Sequence, residues 1–211
     1  EYHGYVAFES IQKQTEVLTA SDYKKLVQDP LFKDKISDEG ANVNWIDAIT
    51  RNPVNHTHNL SLRGGTEKTN YIASVTYRKQ DGILLNTGKE ALTFKIGINH
   101  SMMDDKLKVQ LNVNNSTIKQ NVTWYNAYLQ ACLMNPTRPV YNEDGSYKEY
   151  GTSYKPYNPV ALLNEETDQN KWNQLLASGK ITFSPIGGLN LSAMAAMQRL
   201  SLIHISEPTR L

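Results

Sequence analysis

The sequence predicts an all-β protein, a partial transmembrane antiparallel β-barrel of about seven strands whose long loops carry short helices. Apolar residues recur at every second position in several segments, and long connections between those segments alternate with short ones. The chain has 211 residues, 12 of them tyrosine, and a mean hydropathy of -0.53. It has no run of about 18 apolar residues, which excludes a helical membrane protein. Strands that only alternate keep the average hydropathy low.

The opening hairpin of this pattern is HNLSLRGGTEKTNYIASVTY, residues 58–77. Leu60 and Leu62 share one face of its first strand, and Tyr71, Ala73, Val75 and Tyr77 share one face of its second strand. The predicted strands are 57–64 and 70–80. Each therefore has one apolar and one polar face.

The same reasoning places the other elements. Alternation predicts strands at 2–8, 91–102, 107–117, 171–184 and 189–197. Helices are expected at 20–28 with Ser21 as the cap, around 43–50, and within WYNAYLQACLMN, 124–135. The strand LKVQLNVNNST alternates most cleanly, with Leu107, Val109, Leu111 and Val113 on one face and Lys108, Gln110, Asn112 and Asn114 on the other.

The predicted connections are sorted by the end of the sheet at which they lie. Residues 9–56, 81–90 and 120–170 are long or medium, whereas 64–69, 103–106 and 184–188 are short. Outer-membrane barrels have short turns at one end and long loops at the other. The apolar face is therefore expected to point outward into lipid, and the polar face to line a wet lumen.

Net charge and cysteine content limit the classes of protein to which this chain can belong. The net charge is +1 and the pI about 8.0, which does not indicate a nucleic-acid-binding surface. The single Cys132 can form no internal disulfide and is interpreted as filling in a helix. No signal peptide precedes Glu1, so the chain is expected to be cut at its front.

Four segments carry the motifs of a known family. HNLSLRGGTEKTNYIASVTYRKQDGIL, 58–84, closely resembles the start of the barrel in SusC/RagA-type TonB-dependent outer-membrane transporters. RPVYNEDGSY at 138–147 and YNPVALLNE at 157–165 are similar to the extracellular region that follows, and NWIDAITRN at 44–52 fits a W-x-D-A-I pattern. The resemblance covers residues 2–199 in the family's order.

This resemblance implies what the whole protein does. It implies a barrel of 22 strands, of which residues 1–199 form the N-terminal portion, in the outer membrane of a Gram-negative bacterium. The missing parts are a signal peptide, a small β-sandwich extension, the TonB-contacting segment, the plug and the remaining strands. The whole protein is expected to import oligosaccharides or peptides, driven by the TonB complex, with a SusD-like surface lipoprotein as partner.

Three other motifs could suggest ligand sites but are explained more simply as structural features. GGTEKT could suggest a phosphate-binding loop, but no helix follows it and its Lys-Thr pair lacks the preceding glycine spacing of a P-loop, so a turn whose glycines supply positive φ is favoured. His56 and His58 have a spacing that a metal could use, but no third ligand is evident. Glu165, Glu166 and Asp168 lack the ligand pattern of an EF loop, so a solvated loop is favoured. No metal and no cofactor is expected.

Aromatic residues in the predicted extracellular loop are the candidate contacts for ligand or partner. They are Trp124, Tyr125, Tyr128, Tyr154 and Tyr157. Aromatic side chains stack on sugar rings and anchor protein interfaces equally well, although packing of the loop against the barrel rim is the favoured alternative. No nucleophile-and-base arrangement supports an enzyme. The alternatives are a passive porin or adhesin barrel, and a soluble carbohydrate-binding β-domain.

The last twelve residues depart from the pattern. Alternation breaks after Arg199, and Pro208 lacks the amide that a central strand needs. LSLIHISEPTR, 200–210, also resembles a conceptual translation of a transposase-type sequencing adapter. Residues 200–211 are therefore expected to be non-native and to carry no function, against the alternative of a natural loop.

Overall fold

A single antiparallel sheet forms the body of the computed structural model, which describes residues 1–33, 35–123, 126–150 and 157–208. Its seven strands lie side by side in chain order, from β1 to β7. They are β1 Tyr2–Phe8, β2 Val54–Gly65, β3 Thr69–Asp81, β4 Gly88–Met102, β5 Leu107–Val122, β6 Glu166–Phe183 and β7 Leu191–Pro208. The all-β fold class predicted from the alternation is confirmed.

Four short helices lie in the long connections. They are α1 Ala20–Gln28, α2 Trp45–Ile49, α3 Ala127–Leu133 and α4 Pro159–Glu165. Three of them fall where the sequence predicts helices, and α4 was not predicted. The predicted cap Ser21 is wrong, because Thr19 caps α1: its Oγ1 accepts from the Asp22 amide at 3.2 Å. Within the described ranges, no α-helix is long and apolar enough to cross a membrane.

The register places most apolar strand residues on one face of the sheet, and a smaller set lies on the other, among them Ile72, Ile118, Trp172, Leu176, Met194, Leu200 and Leu202. A row of directly opposed residues illustrates this, running through Leu62, Ala73, Ile96, Val113, Ala177 and Met197. We call this face the apolar face, and its continuous run of apolar residues in β2–β7, which ends at Met197 in β7 and leaves out Ile203 and Ile205, the apolar band. Many of these side chains are exposed, among them Leu60, Leu62, Tyr71, Phe94, Ile96, Ile98, Leu111, Val113, Ile181, Phe183, Leu191 and Met197.

Tight turns join the strands at one end of the sheet. Gly64 and Gly65 belong to β2 and do not have positive φ, so the expected role of these glycines is wrong. Gly64 instead leaves room for the Tyr71 side chain across the strands, which a Cβ would meet. Positive φ occurs in the β4–β5 turn, at Met103, Asp104 and Asp105.

The opposite end of the sheet carries the three longer connections. Their described residues between β1 and β2, between β3 and β4, and between β5 and β6 are here called the long-loop layer. All buried apolar side chains found in the described part of the chain lie in this layer, and none lies in a strand. They are Ala20, Trp45, Ile46, Ile49, Ala127, Ala131, Met134, Val160 and Leu163.

Candidate functional site on the long-loop layer

The W-x-D-A-I segment forms α2 and supplies the centre of the layer. Asn44 caps this helix, with Oδ1 accepting from the amides of Ile46 at 3.2 Å and Asp47 at 3.3 Å. Trp45 and Ile49 are buried, and the Trp45 indole N–H donates to the carbonyl of Asn135 at 2.9 Å. The motif therefore encodes a capped turn of helix that fixes an indole between two loops.

Helices α3 and α4 close the core around α2. Ala127 and Ala131 form the buried face of α3, and their small side chains allow α2 to approach closely. From α4, Val160 and Leu163 join the same cluster. Three segments distant in sequence thus share one dry core, which stabilises loops that sheet hydrogen bonds do not reach.

Backbone hydrogen bonds join the first and third long connections. The amides of Ala41 and Val43 donate to the carbonyls of Thr137 at 2.8 Å and Pro136 at 2.9 Å. Thr137 is fully buried, and its Oγ1 accepts from the Glu39 amide at 3.1 Å. These bonds satisfy buried backbone groups that would otherwise lose water without compensation.

A half-buried ionic cluster lies beside this junction. Arg138 Nε donates to Glu39 Oε1 at 2.7 Å, and the guanidinium stacks 4.6 Å from the centre of the Tyr150 ring. The Tyr150 hydroxyl donates to the carbonyl of Pro139. Burial, followed by the nearby Glu39 carboxylate, raises the pKa of Tyr150 to about 12. The phenol is therefore held in its neutral, hydrogen-donating form.

The YNEDGSY motif folds into a small turn. Asp144 Oδ1 accepts from the amide of Ser146 at 2.9 Å and from its hydroxyl at 2.6 Å, which lowers the pKa of that carboxyl group. Gly145 has φ +83°, a conformation that glycine adopts without strain. The rings of Tyr141 and Tyr147 contact each other with centres 5.2 Å apart. The motif residues therefore shape the turn.

The YNPVALLNE motif builds α4 and its anchor. Asn158 is buried: its Oδ1 accepts from the Val160 amide at 3.1 Å, and its Nδ2 donates to the carbonyls of Val140 at 2.8 Å and Lys148 at 3.1 Å. Pro159 starts the helix, where its missing amide removes no hydrogen bond. One side chain thus caps a helix and holds the YNEDGSY turn against it.

The predicted aromatic contacts are only partly within the described residues. Trp124, Tyr125 and Tyr154 lie outside them. Tyr128 lies in α3 and Tyr157 lies two residues before α4, and they are 38% and 47% exposed. The Tyr128 hydroxyl hydrogen-bonds Thr15 Oγ1 at 2.9 Å, and the Tyr157 amide donates to Gln130 Oε1 at 3.0 Å. The two tyrosines are thus exposed in the same connection, and each is tied to a neighbouring segment by one hydrogen bond.

Two exposed leucines on α3 were not predicted as site residues. Leu129 and Leu133 lie one turn apart and point away from the core, because the small residues Ala127 and Ala131 occupy the buried face. Together with Tyr128 they give α3 an apolar outer surface. The spacing of the alanines was the available signal, since it marks a close helix contact on the opposite side.

The histidines and acidic residues weighed as ligands lie in the sheet and at its long-loop edge. His56 and His58 are on the apolar face, with ring centres 5.1 Å apart, and Tyr2 Oη lies 2.6 Å from His58 Nδ1. His204 Nδ1 lies 3.5 Å from Asp168 Oδ1. Across the part of the chain that the structure describes, no group of three His, Cys, Asp or Glu residues is placed to hold a metal ion.

Comparison with known proteins identifies relatives that are all TonB-dependent receptors. No family model matches the chain. The chain is 26% identical over 206 residues to the TonB-dependent receptor SusC of Bacteroides thetaiotaomicron, covering 86% of this chain and 20% of that protein. It is 32% identical over 148 residues to the TonB-dependent receptor P26 of Formosa agariphila, covering 68% of this chain and 14% of that protein. The chain therefore spans a fifth or less of these relatives.

Solved structures show the same fold. The chain matches a structure of the RagAB peptide transporter with a TM-score of 0.69 at 15% identity, covering 93% of this chain and 27% of that one. It matches the RagAB peptide importer in the 'open-open' state with a TM-score of 0.59 at 17% identity, covering 85% of this chain and 22% of that one.

The open antiparallel sheet, with its loops sorted by end, is the architecture of a segment of a TonB-dependent transporter barrel. The chain is related to the SusC/RagA-type TonB-dependent receptors, and the resemblance of its motifs is confirmed. These relatives are receptors and transporters rather than enzymes.

Proposed function

We propose that this chain is part of the barrel wall of an outer-membrane importer that takes up oligosaccharides or peptides. The observation that carries the proposal is the exposed apolar face, which continues across β2–β7 below a layer of folded loops. In lipid this face would be covered without any further protein. The polar face of the same strands would then line an aqueous lumen.

The partners follow from the relatives and stay part of the proposal. Uptake against a gradient needs energy, which the TonB complex would supply through segments of the whole protein outside these 211 residues. A SusD-like surface lipoprotein would cover the long-loop layer. Support comes from relatives named TonB-dependent receptors and from the fold shared with a RagAB peptide importer.

We further propose that the loop aromatics contact the ligand or the lipoprotein. Tyr128 and Tyr157 support this, because they are exposed on the layer that would face the cell exterior. The double variant Tyr128→Ala/Tyr157→Ala should weaken substrate capture or lipoprotein co-purification without loss of the protein from the membrane. Tyr141→Ala, in an exposed tyrosine of the same connection, is the matched control.

Energised uptake tests the importer proposal. The whole protein containing these strands would be produced in the outer membrane of a Gram-negative host that lacks an equivalent importer. Labelled oligosaccharides and labelled peptides would be supplied with and without a protonophore. We expect uptake of one of these classes, abolished by the protonophore. Uptake of neither class would contradict the proposal.

The alternatives give different results in the same experiment. Uptake that survives the protonophore, with steady conductance in planar bilayers, would indicate a passive porin. Recovery of the protein in the soluble fraction would favour a carbohydrate-binding β-domain. The sequence ahead of Glu1 discriminates further, because only an energised importer needs a plug.

We also propose that residues 200–211 are not native and take no part in this function. Besides the adapter-like string, the face pattern of β7 supports this proposal. Leu200 and Leu202 lie on the polar face, opposite Gln174 and Trp172. Resequencing the source locus across the codon of Arg199 tests it. Finding these codons in genomic DNA, followed by further barrel strands, would contradict it.

A further inference from the structure

A row of charged side chains crosses the apolar face just beyond the apolar band, at its long-loop end. Lys79 in β3 lies opposite Glu90 in β4, Glu90 opposite Lys119 in β5, and Lys119 opposite Lys171 in β6. The row holds three lysines and one glutamate, so it is net positive. A helical or globular protein could place such residues in water, but here they stand on the surface that the proposed function turns toward lipid.

Lys119 and Lys171 are here called the lysine pair, and Lys119 also lies opposite Glu90 in the row. They are direct neighbours on adjacent strands, where like charges repel each other. In the described part of the chain, neither lysine forms an ion pair with a carboxylate. Two adjacent ammonium groups that face outward favour an external anion.

Uncharged polar side chains separate the lysine pair from the apolar band. Asn115, Thr117 and Asn173 occupy this step, and Asn115 Nδ2 donates to Asn173 Oδ1 at 3.2 Å. Lys171 is four residues beyond Leu175, the nearest band residue of β6, which is about 14 Å along the strand. Amide and hydroxyl groups suit sugar hydroxyls, and that distance suits a headgroup built from sugar rings rather than a glycerol phosphate.

We propose that the apolar face of β5 and β6 binds a phosphorylated glycolipid of the surrounding membrane leaflet. Acyl chains would cover the apolar band, sugar hydroxyls would meet the polar side chains, and phosphate groups would bind between Lys119 and Lys171. The inference rests on the proposed function, because the site exists only if these strands span a membrane. It concerns the lipid around the barrel and not the imported substrate.

Binding to rough lipopolysaccharide tests the site. The whole protein would be purified in a neutral detergent and titrated with phosphorylated lipopolysaccharide, with the same material after enzymatic dephosphorylation, and with phosphatidylglycerol. Native mass spectrometry would count bound molecules. We expect the phosphorylated form to bind, and the variant Lys119→Gln/Lys171→Gln to bind about 30-fold more weakly, since each basic residue near an anionic lipid surface contributes about a factor of five.

The matched control changes two lysines of the same strands on the opposite face. Lys108 and Lys180 are exposed on the polar face of β5 and β6, so Lys108→Gln/Lys180→Gln removes equal charge and should bind like the wild type. Equal weakening by both variants, or equal binding of the dephosphorylated lipid or of phosphatidylglycerol, would overturn the inference. Failure of the whole protein to enter membranes would overturn the proposed function as well, whereas a membrane-inserted protein without this preference would overturn only the lipid site.

Discussion

Many large apolar side chains are exposed on the sheet, whereas others are buried in the long-loop layer. Ile96 in the middle of β4 is 50% exposed, whereas Ile49 in α2 is completely buried. The sheet is held by its hydrogen-bonded ladders and leaves its apolar face uncovered, while the layer surrounds a core of its own. A protein that folds in water normally does the reverse and buries the face of its sheet. The proposed function accounts for this difference with two solvents, lipid beside the strands and water around the loops.

The largest expected effect follows from taking the lipid away. Residues 1–199 expressed alone in plain buffer should aggregate or require detergent, because the sheet has two unpaired edges and an uncovered apolar face. Size-exclusion chromatography with light scattering measures this. A monodisperse species that unfolds cooperatively in buffer would contradict the two-solvent comparison and revive the soluble β-domain.

Truncation of the buried indole should damage the loops and spare the strands. We expect Trp45→Ala in the whole protein to cost the layer about 3–5 kcal/mol, because the indole is buried and its N–H bonds Asn135. Limited proteolysis at the cell surface should cut the loops faster, while heat-modifiable migration of the barrel stays unchanged. Leu133→Ala, at a 62% exposed position of α3, is the control and should change little. Equal sensitivity of both variants would argue against a single core.

A charge on the apolar face should be more costly than the same charge on the polar face. Val109→Arg should disfavour membrane assembly by roughly 2–4 kcal/mol if the site lies near the bilayer midplane. Asn112→Arg, on the opposite face of the same strand, should be mild. Refolding into lipid vesicles, followed by the heat-modifiable band, measures both. Similar assembly of the two variants would reverse or abolish the assignment of faces.

The smallest expected effect is a pH dependence of stability that is confined to the long-loop layer. The pKa of Tyr150 is raised from 10.0 to about 12, so folding favours its neutral form. Its stabilising contribution is complete below about pH 10 and is lost as the pH rises through 12. The difference in tyrosinate absorbance between the wild type and Tyr150→Phe should therefore titrate near pH 12. A difference that titrates near pH 10 would show that the ring is solvated.

Alternation predicted the middle of each strand but not its ends. The sequence indicates that β5 ends at 117, yet the ladder continues to Val122. Past Thr117 the apolar Ile118 lies on the polar face and Lys119 on the apolar face, so the period reverses while backbone pairing with β6 continues. Backbone hydrogen bonding between strands does not depend on side-chain polarity. The alternation of apolar and polar residues therefore cannot predict that β5 continues beyond Thr117.

The loop layer was predictable only in parts. Asn158 before Pro159 is a cap signal, but the seven-residue α4 is too short to show helical periodicity. The core that joins Trp45 to Leu163 depends on contacts across more than a hundred residues, which no local pattern contains. The exposed Tyr128 and Tyr157 were predicted as contacts. Leu133 would be expected in the core from its sequence alone, but α3 buries its alanines and leaves Leu133 exposed.

The position of the apolar band within the register determines the tilt of the strands relative to the membrane normal. In β3 the band runs from Tyr71 to Tyr77 and is centred on Ser74, whose row continues through the sheet to Gln198 in β7. In β7 the band runs from Leu191 to Met197 and is centred on Met194, four residues lower. Four residues are about 14 Å along a strand, and four strand spacings are about 19 Å across the sheet. A band that lies level in a membrane then requires the strands to tilt by about 35° from its normal, which is the tilt that closed barrels of this kind adopt.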